Sequence, residues 1–164
     1  MRFFTIAIVV FLTSNVIGQN WQIRGIQHVN FAGESIDSRL EGITLSGFYN
    51  YHLNEKITLV GGLTWNTNSW ANHILLKVGA EFELSKKNNW SLSAQLEVGN
   101  GIALFSPSPL YTFDMQGILY VNYHTEKDNQ WGIGLGLQNI VTPGYAKYGV
   151  FSTANLPISL RYQF

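Results

Sequence analysis

From residue 20 to the end, the chain alternates apolar and polar side chains with a period of two, broken at intervals by Gly, Asn, Ser and Pro. A period of two puts successive side chains on opposite faces of a pleated strand. The alternation predicts eight strands, near 20–32, 39–53, 56–66, 70–85, 90–101, 110–124, 130–141 and 154–164. No stretch carries the apolar recurrence of a helix, so the chain reads as all-β. Most of these strands are as long as the ~9–11 residues a tilted strand needs to cross a bilayer, and longer than the ~5–6 usual in soluble sheets.

One face of each strand is almost continuously apolar, as with Ile43, Leu45, Tyr49, Tyr51 and Leu53 on the second, or Ile74, Leu76, Val78, Ala80, Phe82 and Leu84 on the fourth. The first strand is the weakest, because Trp21, Ile23, Val29 and Phe31 share their face with Gln27. The opposite faces carry Arg24, Glu41, Lys77, Glu81, Glu83, Gln95, Glu97, Asp114, Gln116, Asn122 and Arg161, with many Gly and Ser. A membrane barrel would turn the apolar faces to lipid and enclose the polar ones. A secreted β-sandwich or lipocalin-like binder would do the reverse.

Aromatic placement favours the barrel. Trp21, Trp90 and Trp131 begin the first, fifth and seventh strands, while Tyr51, Tyr123 and Tyr162 end the second, sixth and eighth. In an up-and-down barrel these six share one rim, and Trp65, Trp70, Phe31 and Tyr111 fall at the other. Trp and Tyr gather at bilayer interfaces because each ring is an apolar body with a polar handle. The connections alternate accordingly: Asn54-Glu55, Lys86 to Asn89 and Thr125 to Asn129 are short and polar, whereas Ala32 to Ser38, Gly101 to Pro109 and Thr142 to Thr153 are longer.

The N-terminus adds an address. Arg2, an apolar run from Phe3 to Leu12 and small residues at Val16 and Gly18 read as a secretory signal peptide over 1–18, leaving 19–164 as a single domain. The chain contains no cysteine, which removes a lipid-anchoring Cys, a disulfide framework and thiol chemistry together. A formal net charge of +0 without a basic patch argues against nucleic acid as a partner.

The last nine residues, Leu156-Pro157-Ile158-Ser159-Leu160-Arg161-Tyr162-Gln163-Phe164, alternate without a break. This ending resembles the closing strand of bacterial outer-membrane β-barrels, with Tyr162 and Phe164 in the place of the signal read by the barrel-assembly machinery. The whole mature chain resembles the small eight-stranded outer-membrane barrels, such as outer-membrane protein X and the membrane domain of outer-membrane protein A. The resemblance implies an eight-stranded antiparallel up-and-down transmembrane β-barrel in the cell outer membrane of a Gram-negative bacterium. It implies outer-membrane lipid and the assembly machinery as partners, with the outer loops free to take an extracellular one.

A barrel of eight strands is just wide enough for its side chains to fill it, so no open pore is expected. Arg24, Lys77, Glu81, Glu83, Glu97, Asp114 and Arg161 are expected to form a polar network in the lumen. In it, Glu81 and Glu83 reach Arg24 and Arg161, and Lys77 lies between Glu97 and Asp114. Glu97 and Asp114, with His73 near the mouth, also have the residue types of an acid/base site. A filled barrel needs inward carboxylates to balance its cations, and that reading is preferred. Lipid A deacylases are barrels of similar size with a His-x-Ser pair on one strand. None of His28-Val29-Asn30, His52-Leu53-Asn54, His73-Ile74-Leu75 and His124-Thr125-Glu126 matches it. The expectation is a structural or cell-surface interaction protein without catalysis, cofactor or metal, with a lipid-modifying enzyme as the alternative. The apolar segments 102–109 and 143–151 are the loops best suited to a partner.

Overall fold

Eight antiparallel strands pair in chain order, and the last pairs with the first to close a barrel. They are β1 (Trp21–Gly33), β2 (Leu40–His52), β3 (Ile57–Thr67), β4 (Asn72–Lys87), β5 (Trp90–Leu104), β6 (Pro109–His124), β7 (Gln130–Pro143) and β8 (Val150–Gln163). The computed structural model describes residues 20–33, 40–67, 72–104, 109–125, 129–143 and 150–164, with the side chains of 30–33, 40, 41 and 150–153 excepted. The proposed leader, Trp70 and the connections 34–39, 68–71, 105–108, 126–128 and 144–149 lie outside these residues.

The apolar faces point outward. Leu63, Ile133 and Leu137 are each more than 60% exposed, whereas the alternate residues Thr64, Asn122 and Gln138 are buried. This inversion of the usual inside and outside excludes the sandwich and lipocalin-like readings. The interior is polar, seeded with a few inward apolar groups, among them Ile26, Phe48, Leu75, Ile118, Tyr120 and Ile140. A closed barrel leaves no strand edge, so the backbone can meet hydrocarbon with its ladder satisfied.

Two strand pairs run further than their sequence suggests. Ile102, Ala103 and Leu104 continue β5 opposite Tyr111, Leu110 and Pro109, so the link there is 105–108 rather than 101–109. Thr142 and Pro143 likewise pair with Phe151 and Val150. Gly and Pro marked these segments as loops, yet Pro109 begins a strand and Pro143 ends one, where a missing N–H costs little. At the opposite end β4 continues to Lys87, leaving Asn88 and Asn89 as the turn. Asn88 takes φ 53°, a left-handed conformation that Asn tolerates. The turn after β2 is held by Asn54, whose Oδ1 accepts the Lys56 and Ile57 amides, both at 2.9 Å.

Gln27, the polar intruder on the outer face of β1, has a structural task. The β1–β2 ladder shifts register between Gln27 and Val29, and Gly42 sits in the shift at φ 133°. The Gln27 amide donates to the Gly42 carbonyl at 3.0 Å, satisfying a group that the bulge takes out of the ladder. Only glycine adopts that φ without strain of about 1–3 kcal/mol. Gly42→Ala is therefore expected to lower the temperature at which the folded band is lost on SDS gels. Gly47→Ala, whose Cβ would meet nothing within 4 Å, should leave it unchanged.

Candidate functional site: the charged interior

Among the described residues, the lumen holds three cations and three carboxylates joined in a ladder, all of them buried except for the partly accessible Glu81. Strand parity places them. Glu81 and Lys77 on β4, Glu97 on β5, Asp114 on β6, Arg24 on β1 and Arg161 on β8 each occupy an inward position of an alternating strand. Their mutual neutrality is what makes them tolerable, since a buried ion without a partner costs several kcal/mol.

Nearest the end that carries the short turns, Arg161 grips Glu81 through two parallel bonds, Nη2 to Oε1 at 2.5 Å and Nη1 to Oε2 at 2.7 Å. Its three remaining hydrogens reach Gln95 Oε1 at 2.9 Å, Asn122 Oδ1 at 2.8 and 3.2 Å and Ser93 Oγ at 3.2 Å, one Nη2 hydrogen being shared between Asn122 and Ser93. The guanidinium lies 3.9 Å from the centroid of the Tyr120 ring, a cation–π stack. Gly132 and Gly134 on β7 make the room: a Cβ at the first would meet Arg161 at 2.8 Å, and at the second Tyr120 at 2.6 Å.

Arg24 forms the second rung. It binds Glu97 through Nη1 to Oε1 and Nη2 to Oε2, the latter at 2.8 Å, and stacks 4.6 Å from the centroid of Phe48. Its Nη1 also donates to the Tyr120 hydroxyl at 3.4 Å, which contacts Ser159 Oγ at 2.8 Å. Gln95 ties the rungs together, accepting from Arg161 and donating to Glu97 Oε1 at 2.7 Å. The third rung is Lys77, ion-paired to Asp114 Oδ2, 3.5 Å from Glu97 Oε2, and donating to Gln116 Oε1 at 2.7 Å. Asp114 Oδ2 also accepts from Gln138 at 3.1 Å.

Two expectations need correction. Arg24 reaches neither Glu81 nor Glu83, because Glu81 is taken up by Arg161 and the opposing carboxylate at Arg24's own level is Glu97. Glu83 stands outside the ladder: it is half-buried, belongs to no ion pair among the described residues, and lines an open polar vestibule. Tyr120 and Phe48, absent from the network expected on sequence, stand on the inward parity of β6 and β2 and supply the rings on which Arg161 and Arg24 stack.

His73 is buried on β4, above the ladder. Elsewhere in that half His28 Nε2 sits 2.6 Å from Thr44 Oγ1, which accepts from Asn66 Nδ2 at 2.7 Å. Among the described residues no group of three or more His, Asp or Glu is arranged to hold a metal.

The outer rims carry the aromatics. At the turn end, Trp90 packs on Tyr123 with ring centroids 5.0 Å apart, Trp131 on Tyr162 at 4.4 Å and Trp21 on Tyr49 at 5.6 Å. Phe164 stacks edge-on against Tyr162 at 4.6 Å, and its amide donates to the Trp21 carbonyl at 2.9 Å, fastening the chain end across the closing seam. Phe164 is itself 8% exposed, so it is packed into the rim and is not a free lipid-facing ring. Trp65 is half-buried on β3 toward the opposite rim, opposite Leu45 and Ile74.

No protein-family model and no curated protein sequence matches the chain. Solved structures do. The crystal structure of Neisserial surface protein A superposes with a TM-score of 0.55 at 12% identity, over 90% of this chain and 98% of that one. A de novo designed transmembrane β-barrel superposes with a TM-score of 0.41 at 14% identity, over 89% and 96%. The chain has the fold of the small eight-stranded outer-membrane barrels. At such identity the likeness is one of fold, and it carries no activity across.

Glu97 serves two cations, so Glu97→Gln should be the most damaging single change in the ladder, costing about 3–5 kcal/mol by stranding Arg24 and weakening Lys77. Urea titration of the barrel in lipid vesicles measures this. Glu83→Gln, outside the ladder, is expected to lie within about 0.5 kcal/mol of the parent.

Proposed function

We propose that the protein is an outer-membrane barrel of a Gram-negative bacterium with a structural or cell-surface interaction role, and that it neither conducts solutes nor catalyses a reaction in its lumen. The observation that carries this reading is the ladder itself. Every carboxylate of the ladder is engaged by a cation: Glu81 by Arg161, Glu97 by Arg24 and Lys77, and Asp114 by Lys77. A general base needs a carboxylate free to take up a proton next to substrate. The same rungs occupy the middle of the bore, which favours function at the ends and outer surface of the barrel over passage through it.

In this reading residues 1–18 direct export, the short turns face the periplasm, and the connections 34–39, 68–71, 105–108 and 144–149 face outward. Outer-membrane lipid packs on the apolar belt, the assembly machinery reads the ending at Tyr162 and Phe164, and an extracellular partner engages the outer connections. The likeness to a Neisserial surface protein is compatible with such a role.

Fractionation followed by SDS gels with and without boiling tests location and fold together. The account expects recovery with the outer membrane and a band that shifts on heating; a soluble protein with no shift rejects it. Planar-bilayer recordings should show no steady conductance. Lipid A from cells with and without the protein should carry the same acyl chains, and a changed acylation pattern would install the enzyme reading in its place.

A further inference from the structure

Beneath the Arg161–Glu81 rung the barrel opens into a polar vestibule of about 350 Å³ at the end bearing the short turns. No aliphatic side chain and no Phe, Tyr or Trp lines it among the described residues. Its shape depends on a bulge in β4: Glu83 pairs with Ser93 and Ser85 with Leu92, so Leu84 is the extra residue. The extra residue changes the parity of the strand. Glu83 faces inward before it, and Lys86, which alternation from Glu83 would send outward, comes to lie opposite the buried Ser91 and lines the vestibule too. Bulges that re-aim a side chain in this way recur beside functional sites.

Two imidazoles also line the space, each anchored by a hydroxyl on one nitrogen. His124 Nε2 is 2.8 Å from Ser91 Oγ, which Asn122 Nδ2 reaches at 3.3 Å, and His52 Nδ1 is 2.8 Å from Thr58 Oγ1. Each ring keeps its other nitrogen as a hydrogen-bonding group. Glu81 is already matched by Arg161, which leaves Glu55 and Glu83 against Lys56 and Lys86. None of these four belongs to an ion pair among the described residues.

We propose that this vestibule is a binding site for a small zwitterionic solute of amino-acid or dipeptide size, with Glu83 taking the ammonium and Lys86 the carboxylate. Among the described residues, the balance of two acids and two bases favours a ligand bearing both signs over a net anion or cation. The polar lining excludes an apolar ligand, and the volume sits at the low end of the ~300–1,000 Å³ typical of ligand pockets. The site adjoins the ladder at Glu81 and Ser93 but lies at the far end of the barrel from the outer connections, so it stands whatever those connections touch.

Nuclear magnetic resonance of the intact barrel in detergent micelles, titrated with diglycine, glycylglycinamide and N-acetyl-diglycine, tests the proposal. Diglycine is expected to give saturable shifts at Ser91, His124 and Lys86. Blocking either of its ends should weaken binding about fivefold, the worth of one partly exposed ion pair. Lys86→Met should abolish the difference between diglycine and glycylglycinamide, and Glu83→Gln the difference between diglycine and N-acetyl-diglycine. Shifts that never saturate, equal binding of the three peptides, or variants that keep the parent's preferences would overturn it.

Discussion

In hydrocarbon no water is present to satisfy a backbone N–H or C=O, so a strand can cross only if the sheet closes on itself. The pairing of β8 with β1, from Gln22 against Gln163 to Gly33 against Thr153, is therefore the contact on which the rest depends. Once the sheet is closed, alternation leaves no choice about where side chains go. One set meets lipid, the other is confined to a bore too narrow for solvent to rescue it. The chain's polar residues are thus confined by closure to the place where charge is most costly.

The interior answers that cost with matched geometry. Two arginines supply forked donors to two glutamates and lay their planes on Tyr120 and Phe48, while a lysine, which lacks a fork, is placed between two carboxylates. Arginine suits the stacked positions because its guanidinium is planar and weakly hydrated. Around Arg161, serine, asparagine and glutamine take up the hydrogens that Glu81 does not, and the glycines of β7 supply the volume. Removing one member of such a set strands its neighbours, so the ladder acts as a unit.

Strand number and the order of faces were legible in the sequence because each rests on a period of two, which is local and repeated; closure was implied by the placement of the aromatics and the resemblance to outer-membrane barrels. The polarity of Arg24 or Lys77 on its strand followed from the same parity. Pairing across the bore did not. Which carboxylate meets Arg24 depends on the stagger of strands far apart in sequence, and the register shifts at Gly42 and Leu84 move that stagger without an outward sign. Lys86, read from the sequence as the start of a turn, is carried by the bulge at Leu84 into the strand opposite Ser91. Pro109 and Pro143 misled in the other direction, marking breaks where strands merely end.

The central claim is that the apolar face of each strand meets lipid and the charged face is enclosed. Because the chain has no cysteine, single cysteines can be placed along β4 and spin-labelled without background. In vesicles, labels at Ile74, Leu76, Val78 and Ala80 should be relaxed by dissolved oxygen, and labels at Leu75 and Lys77 shielded from it. Accessibility without a period of two, or with the opposite phase, would contradict the account.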